Sequence, residues 1–391
     1  MTQVRGEEPN AMETTPSIRL PASKSAGLEG TVVADTELSE VDGARGRLVL
    51  RGHGVAELAR VGSLEAIAEL LWNGALPADG GRAMRALFGA GRRRAFALLP
   101  RLDAALALPD AMESLRASVA HLDSSSTAPA GAPRASATEG ADLAGAVAVF
   151  AAAWARRARG LAPLAPDPER SHAADYLRML SDREPSAEAE RALASYLVTV
   201  ADHGMNASTF AARVVASTGS DAVSAVVAGI GALKGPLHGG APGPVLDMLD
   251  AVGEPERAHA WLAAELDAGR RIMGMGHRVY RVRDPRAEVL EHALERFAAA
   301  GGGGERLALA RAVETSALAL LAERHPARAL RANVEFYTAV LLDALGIDRR
   351  LFSPTFAVGR VVGWYAHVAE QRASGRLIRP ESRYVGPSAE P

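Results

Sequence analysis

Apolar side chains recur at every third or fourth position along most of the chain, the spacing that gives an α-helix one buried face. In SLEAIAELLWNG, Leu64, Ile67, Leu70 and Leu71 share a face, Ser63 is an N-cap, and Gly74 follows the last turn, where left-handed backbone is favoured. The same reading predicts helices over 83–99, 103–119, 142–159, 171–180, 186–201, 206–218 and 221–233. It continues over 244–251, 255–268, 284–299, 305–324, 333–346 and 353–371. Residues 142–159 are apolar almost all round until their terminal arginines, so this helix is expected at the centre of the fold. Only 27–51 departs, with β-branched alternation and Gly and Asp turn signals that predict short strands or an extended arm. The pattern is that of an all-α fold with a short N-terminal β or extended segment. Two stretches interrupt it. Residues 123–142 have the Ser, Thr, Pro, Gly and Ala bias of a flexible surface loop, and GPLHGGAPGP at 235–244 holds four glycines and three prolines, a hinge or a site loop.

Composition narrows the picture mainly by exclusion. At 391 residues the chain can form one large or two ordinary domains with an interior cleft. A net charge of −2, from 44 basic and 46 acidic residues, creates no global field for nucleic acid or membrane, so any anion binding must be local. The absence of cysteine excludes disulfides, thiolate catalysis and thiolate metal sites. The longest uncharged apolar runs, Ala144–Ala155 and Ala222–Leu233, span 12 residues each, short of the roughly 20 that a membrane helix needs. Met1–Lys24 has neither an apolar signal core nor an Arg-rich, acid-poor transit pattern, so a disordered tail and a cytoplasmic location are expected.

Local chemistry concentrates in Arg271–Arg286, RIMGMGHRVYRVRDPR, where one histidine stands among five arginines. Asp284 and Pro285 suit an N-cap and first helical position, which puts Arg286 in a first turn whose free N–H groups favour anions. The stretch reads as an anion site containing a proton donor; a solvated arginine-rich loop would leave the same letters. Three histidines lie at helix ends or in Gly-rich loops: His203 in ADHGMNAST, His238 in GPLHGG and His277 in GMGHRVY. Their spacing matches no local zinc pattern, so acid–base chemistry ranks above metal binding. A serine hydrolase is disfavoured by the lack of GxSxG, and Gly274-Met275-Gly276 lacks the third glycine and the preceding strand of a dinucleotide loop. Glu335 falls in the first turn of its helix, where it complements the dipole and where the same field would keep a general base ionised.

Taken together and in order, GLEGTVVADTELSEVDGARGRLVLRG, DHGMNASTFAARV, ALKGPLHGG, MGMGHRVYRVRDPR, NVEFY, GRVVGWYAHVAEQ and RLIRPESRYVGP make the chain resemble a citrate synthase of the bacterial citrate/2-methylcitrate synthase group. The resemblance runs from residue 27 to 387. It implies a two-domain helical homodimer with the active site in the cleft and shared across the interface. Residues 25–238 and 347–391 would form the large domain, and 239–346 a small domain that closes over the site. His238 would hydrogen-bond the thioester carbonyl of acetyl-CoA while Glu335 removes a methyl proton. His277 would polarise and protonate the oxaloacetate carbonyl, and His203 would help hold that ligand. Arg286 and Arg360 would clamp its carboxylates, joined by Arg379 from the other subunit. Arg281 and the backbone of Met273, Gly274, Met275 and Gly276 would face coenzyme A. No metal and no permanently bound cofactor is implied, the acyl-CoA being a substrate and CoA a product, and neither nucleic acid nor membrane is a partner.

The implied reaction is condensation of acetyl-CoA, oxaloacetate and water to citrate and CoA. Two alternatives accompany it: 2-methylcitrate synthesis from propionyl-CoA through the same residues, and a catalytically weak or silent relative that keeps ligand binding. Four positions depart from the family's usual pattern. Glu335 replaces Asp, Val200 replaces a histidine before the ADH motif, Pro242 replaces an asparagine after GPLHGGA, and Ala339 replaces a glycine after the NVEFY motif.

Overall fold

The structure is a computed structural model describing residues 27–28, 30–123, 136–239, 242–277, 279–326, 330–382, 384 and 386. The tail expected at 1–24 lies outside them, as does 124–135 of the loop expected at 123–142. Residues up to Asp35 group apart from residues 36–391. In the first group a turn is closed by Thr31 N donating to Leu28 O at 3.0 Å.

The expected extended segment is a three-stranded antiparallel sheet in the order β1 (Ser39–Asp42), β2 (Arg47–Leu50), β3 (His53–Gly54), with Ser39 opposite Leu50 and Asp42 opposite Arg47. Leu48 and Leu50 alternate inward and are buried, as one face of a half-buried strand requires. Every other element is helical. Ser63 accepts from Ala66 N and Gly74 is left-handed at either end of the Leu64–Asn73 helix, as the sequence predicts.

Val55–Val61 is a helix where none was expected, and several boundaries differ from expectation. Residues 103–119 are not one helix but Asp103–Leu106 and Ala111–Val119: Pro109 cannot continue a helix, and Asp110 restarts it by accepting from Glu113 N at 2.8 Å. The central helix begins at Ala137 inside the expected loop, because Ser136 caps Glu139 N. In the Gly/Pro-rich stretch, helix resumes at Pro242, within 235–244, where a proline fits a first turn that has no partner for its N–H.

Ala137–Arg157 is buried along nearly its whole length, as its all-round apolar surface demands. It packs against Arg82–Leu98, Ala111–Val119, His172–Ser181 and the last helix, Phe352–Ser374. That last helix also lies on Ala187–Val200, Ala207–Ser217 and Ala222–Leu233. Two of its glycines set how closely. A Cβ on Gly363 would stand 2.1 Å from Ala201 O, and one on Gly359 would stand 2.7 Å from Val200 Cγ2. The helix can therefore press Arg360 against the C-terminal end of Ala187–Val200. A second group of helices contains Pro242–Val252, Ala258–Asp267, Pro285–Ala299, Gly304–Arg324 and Val334–Ala344. Pro285–Ala299 joins it to the first by packing on Ala187–Val200 and Val55–Val61.

Candidate active site

The chain leaves Ala187–Val200 through Asp202, His203 and Gly204 and re-enters helix at Ala207, capped by Asn206, whose Oδ1 accepts from the amides of Ser208 and Thr209 at 3.1 Å. Asp202 is buried. It accepts from His367 Nε2 at 3.1 Å, from Gly204 N at 3.1 Å and from the Ser39 hydroxyl. Burial alone would raise this carboxyl, but His367, Arg360 and Ser39 outweigh it and hold it down to about 2. His367 Nδ1 in turn accepts from Arg213 at 3.0 Å. The backbone that carries His203 is thus fixed from below by an ionised, fully hydrogen-bonded carboxylate.

A second loop brings His277 opposite. Gly274 and Gly276 have φ of +73° and +86°, which lets the loop fold back on residues 331–333. Asn333 N donates to Gly274 O at 2.9 Å, Asn333 Nδ2 donates to Gly276 O at 2.8 Å, and Asn333 Oδ1 caps Glu335 N at 3.0 Å. One side chain therefore joins the loop of His277 to the helix of Glu335. Asp284 caps Arg286 N, pairs with its guanidinium at 2.8 Å and accepts from Val334 N at 3.3 Å. Ring centroids of His203 and His277 lie 6.0 Å apart, and the Tyr280 hydroxyl is 3.0 Å from His203 Nε2.

The tautomer of His277 follows from its partners. Nδ1 accepts from the amides of Val279 and Tyr280 at 2.9 and 3.1 Å, so the proton of the neutral ring sits on Nε2. Arg286 directs an N–H of its own at Nε2 from 3.2 Å. The Asp284 carboxylate oxygen that pairs with this guanidinium lies 3.8 Å from Nε2, beyond hydrogen-bond distance, so among the described residues the Nε2 proton has no acceptor in reach and can be offered to a ligand oxygen. Burial and the Arg286 charge push the His277 imidazole down to about 4, and burial with Arg286 and Arg360 holds His203 well below the ordinary range.

Arg360 is 1% exposed. Its Nε donates to Val200 O at 2.5 Å, and its guanidinium lies 4.6 Å from the Phe356 ring centroid. Among the described residues no carboxylate stands within ion-pair distance of it, and burial lowers even this guanidinium to about 10. The ionised Asp202 acts on this guanidinium only from beyond ion-pair distance, so the buried cation is partly compensated and its surroundings favour an added anion. Glu335 lies in the fields of Arg286 and Arg360, yet burial dominates and lifts its carboxyl to about 7.

His238 completes the cluster from the Gly/Pro-rich loop. Its Nε2 is 2.8 Å from Ser208 Oγ, which accepts from Trp364 Nε1 at 3.0 Å. The hydroxyl also donates to Asn206 Oδ1 at 2.8 Å, so its one proton is divided between Asn206 and His238; whenever His238 Nε2 takes it, the ring keeps Nδ1–H as a donor. Burial and Arg360 push the His238 imidazole down to about 4, so it stays neutral. Replacing the hydroxyl frees the tautomer: Ser208→Ala should lower kcat by about 10- to 100-fold, read from initial rates. An unchanged kcat would remove Ser208 from this role.

The residues singled out from sequence do not all meet. His203, His238, His277, Arg286, Arg360 and Glu335 share one electrostatic neighbourhood. Arg379 does not join them; it is exposed on the final segment, where Ile378 N donates to Ser217 Oγ at 3.0 Å, at the opposite end of Ala207–Ser217 from Ser208. Arg281 is exposed on the outer side of its loop, its amide held by Gly43 O at 2.8 Å, and Met273–Gly276 is partly exposed. Two further arginines, one just before and one within 271–286, are structural: Arg270 pairs with Glu265 at 2.6 Å and Arg283 with Glu291 at 2.6 Å. Arg278 lies outside the described residues. Sequence reading missed Ser208, Tyr280, Trp364, Asp202, His367 and the linking role of Asn333. Among the described residues, no cluster of three or more His, Cys, Asp or Glu could hold a metal ion.

A family model described as the citrate synthase C-terminal domain matches residues 27–381. The chain belongs to the citrate synthase family. A Mycobacterium tuberculosis protein provisionally named citrate synthase 2 is 49% identical over 204 residues, 52% of this chain and 53% of that protein, so the match spans about half its length. The Haloferax volcanii citrate synthase is 38% identical over 370 residues, covering 92% of this chain and 95% of that one. The Mycobacterium tuberculosis 2-methylcitrate synthase is 37% identical over 380 residues, covering 95% and 93%. Among solved structures, the Thermoplasma acidophilum citrate synthase in ternary complex with carboxymethyl coenzyme A and oxaloacetate superposes with a TM-score of 0.82 at 28% identity, covering 93% of this chain and 97% of that one. The all-α architecture read from hydrophobic periodicity is the architecture of these citrate synthase structures. Among the described residues, no helix is long and apolar enough to cross a membrane.

Proposed function

We propose that this member of the citrate synthase family condenses acetyl-CoA with oxaloacetate and water to give citrate and CoA. The observation that carries the reading is the approach of His277 Nε2 and Arg286 beside the buried Arg360, which has no carboxylate within ion-pair distance, with the Glu335 carboxyl raised to about 7. Arg286 and Arg360 take the carboxylates of oxaloacetate, and His203 steadies the same ligand. His238 Nδ1–H bonds the thioester carbonyl while Glu335 removes a methyl proton, so enolate charge is met by a donor as it forms. The nucleophilic carbon attacks the oxaloacetate carbonyl, whose oxygen takes the proton of His277. Water then cleaves the thioester, releasing CoA. The Met273–Gly276 backbone and Arg281 receive the coenzyme, which comes and goes as substrate and product.

The enzyme works in the cytoplasm as a homodimer, Arg379 reaching the oxaloacetate site of the other subunit. Residues 239–346 form a small domain that closes on 25–238 and 347–391 once substrate binds, excluding water from the enolate. A second reading, 2-methylcitrate synthesis from propionyl-CoA, is favoured by the 2-methylcitrate synthase relative being as similar as the Haloferax citrate synthase. One methylene in an apolar pocket separates the substrates by only about 10- to 200-fold. Thiol release from acetyl-CoA and from propionyl-CoA, each with oxaloacetate, decides between them. Faster release from acetyl-CoA is expected; faster release from propionyl-CoA moves the assignment to 2-methylcitrate, and no release from either removes both.

A further inference from the structure

His203 and His277 sit on loops about seventy residues apart in sequence, yet one short hairpin touches both. At one end of β1, Ser39 hydroxyl donates to the Asp202 carboxylate and accepts from Gly204 N at 3.1 Å, bracketing His203. Val41 packs on the same loop, its Cγ2 lying 3.4 Å from where a Cβ on Gly204 would be. At the other end, the β1–β2 turn is pressed into the His277 loop. Arg281 N donates to Gly43 O at 2.8 Å. A Cβ on Gly43 would lie 2.3 Å from Val279 O, and one on Gly46 would lie 2.6 Å from Val282 Cγ2 and 3.1 Å from Arg283 O. The hairpin itself is stiff: Asp42 Oδ1 accepts from the amides of Ala44 and Arg45 at 3.0 and 2.9 Å, and the ladder runs unbroken from Ser39–Leu50 to Asp42–Arg47. Its base is tied to the last helix, where Thr36 Oγ1 and Glu37 N both donate to Glu370 Oε1 at 3.2 and 2.9 Å.

We infer that the Ser39–Leu50 hairpin is a positioning strap, with Ser39 and Gly43 as its two attachment points, that fixes the spacing of the His203 and His277 loops for the keto acid they share. The inference rests on the reading above, which gives oxaloacetate to that pair. Neither attachment point touches substrate. Each sets where a loop sits, and a displacement of about 1 Å in reacting groups costs on the order of 100-fold. The strap also accounts for the absence of side chains at Gly43 and Gly46, where any Cβ would force the loop carrying His277 outward.

The test uses the full-length enzyme and Gly43→Ala, Ser39→Ala and Ser39→Thr. In both alanine variants KM for oxaloacetate is expected to rise about tenfold or more while kcat falls by less, and Ser39→Thr, which keeps the hydroxyl, recovers most of the loss. Amide hydrogen exchange supplies a readout independent of turnover. Ser39→Ala should speed exchange at 279–283, and Gly43→Ala should speed it at 202–206, each at the loop remote from the substitution. A wild-type enzyme that releases no thiol removes the functional reading, and the exchange data still decide the strap. An oxaloacetate KM within twofold of wild type in both alanine variants of an active enzyme, or faster exchange only beside the substituted residue, would overturn it. Should Gly43→Ala fail to fold, Ser39→Ala, which removes only a hydroxyl, carries the decision.

Discussion

Glu335→Gln is expected to reduce kcat by about 100- to 10,000-fold, the range a positioned general base supplies, while leaving KM for oxaloacetate within a few-fold of wild type. The wild-type rate should rise with pH and level off above about 7, because the base must be ionised and burial holds its carboxyl up at that value. The sign of the linked stability effect is opposite. A carboxyl whose pKa is raised from 4.5 to about 7 by folding favours the folded state only when protonated, so it imposes a penalty that is absent below about 4.5 and complete above about 7. That penalty is on the order of 3 kcal/mol. Denaturant melts of ligand-free protein at pH 5 and pH 8 should therefore show Glu335→Gln gaining stability over wild type at the higher pH only. A glutamine variant that turns over like wild type would assign the base elsewhere.

Arg360→Leu should separate binding from folding even more sharply. Truncating one side of a buried charge pair costs about 2 to 5 kcal/mol, so KM for oxaloacetate should rise by roughly 30-fold to several-thousand-fold. Without ligand, the same variant should melt near the wild-type temperature, because relief from burying a guanidinium with no carboxylate at ion-pair distance offsets the cavity beside the shorter leucine and the lost bond to Val200 O. Oxaloacetate should raise the wild-type midpoint by mass action and leave the variant's unmoved. Thermal unfolding with and without oxaloacetate, beside steady-state kinetics, measures all three. A large loss of stability in the free variant would show that Arg360 holds the fold rather than an anion.

The helices were legible in the sequence wherever their signals were local. Ser63 and Gly74, and Asp284 with Pro285, stand where caps were expected, because a cap depends only on its next few residues. Ser136 was obscured by the Ser, Ala and Pro around it, and the break at Pro109–Asp110 by the apolar period that runs across it. In the site, His277 and Arg286 could be suspected from charge crowding alone. Arg360 could not: a lone arginine in an apolar helix has no local mark, and the family resemblance singled it out. Ser208 and Trp364 stayed invisible because their roles depend on two helices crossing closely enough for an indole to meet a hydroxyl 156 residues away in sequence. Ser39 was hidden likewise, since its partner Asp202 is 163 residues distant.

The last helix repays one more look. Arg360, Trp364, His367 and Gln371 follow one another at intervals of four, three and four, a single stripe facing the chain between Val200 and Arg213. Along that stripe Arg360 meets Val200 O beside the proposed anion pocket, Trp364 meets Ser208, the partner of His238, and His367 meets Asp202, which bonds the loop of His203. Recombination among relatives must respect this. A chimera that imports the segment 352–374 without its counterpart 187–217 would mismatch three functions in one junction, whereas exchanging the two together transplants the catalytic floor intact.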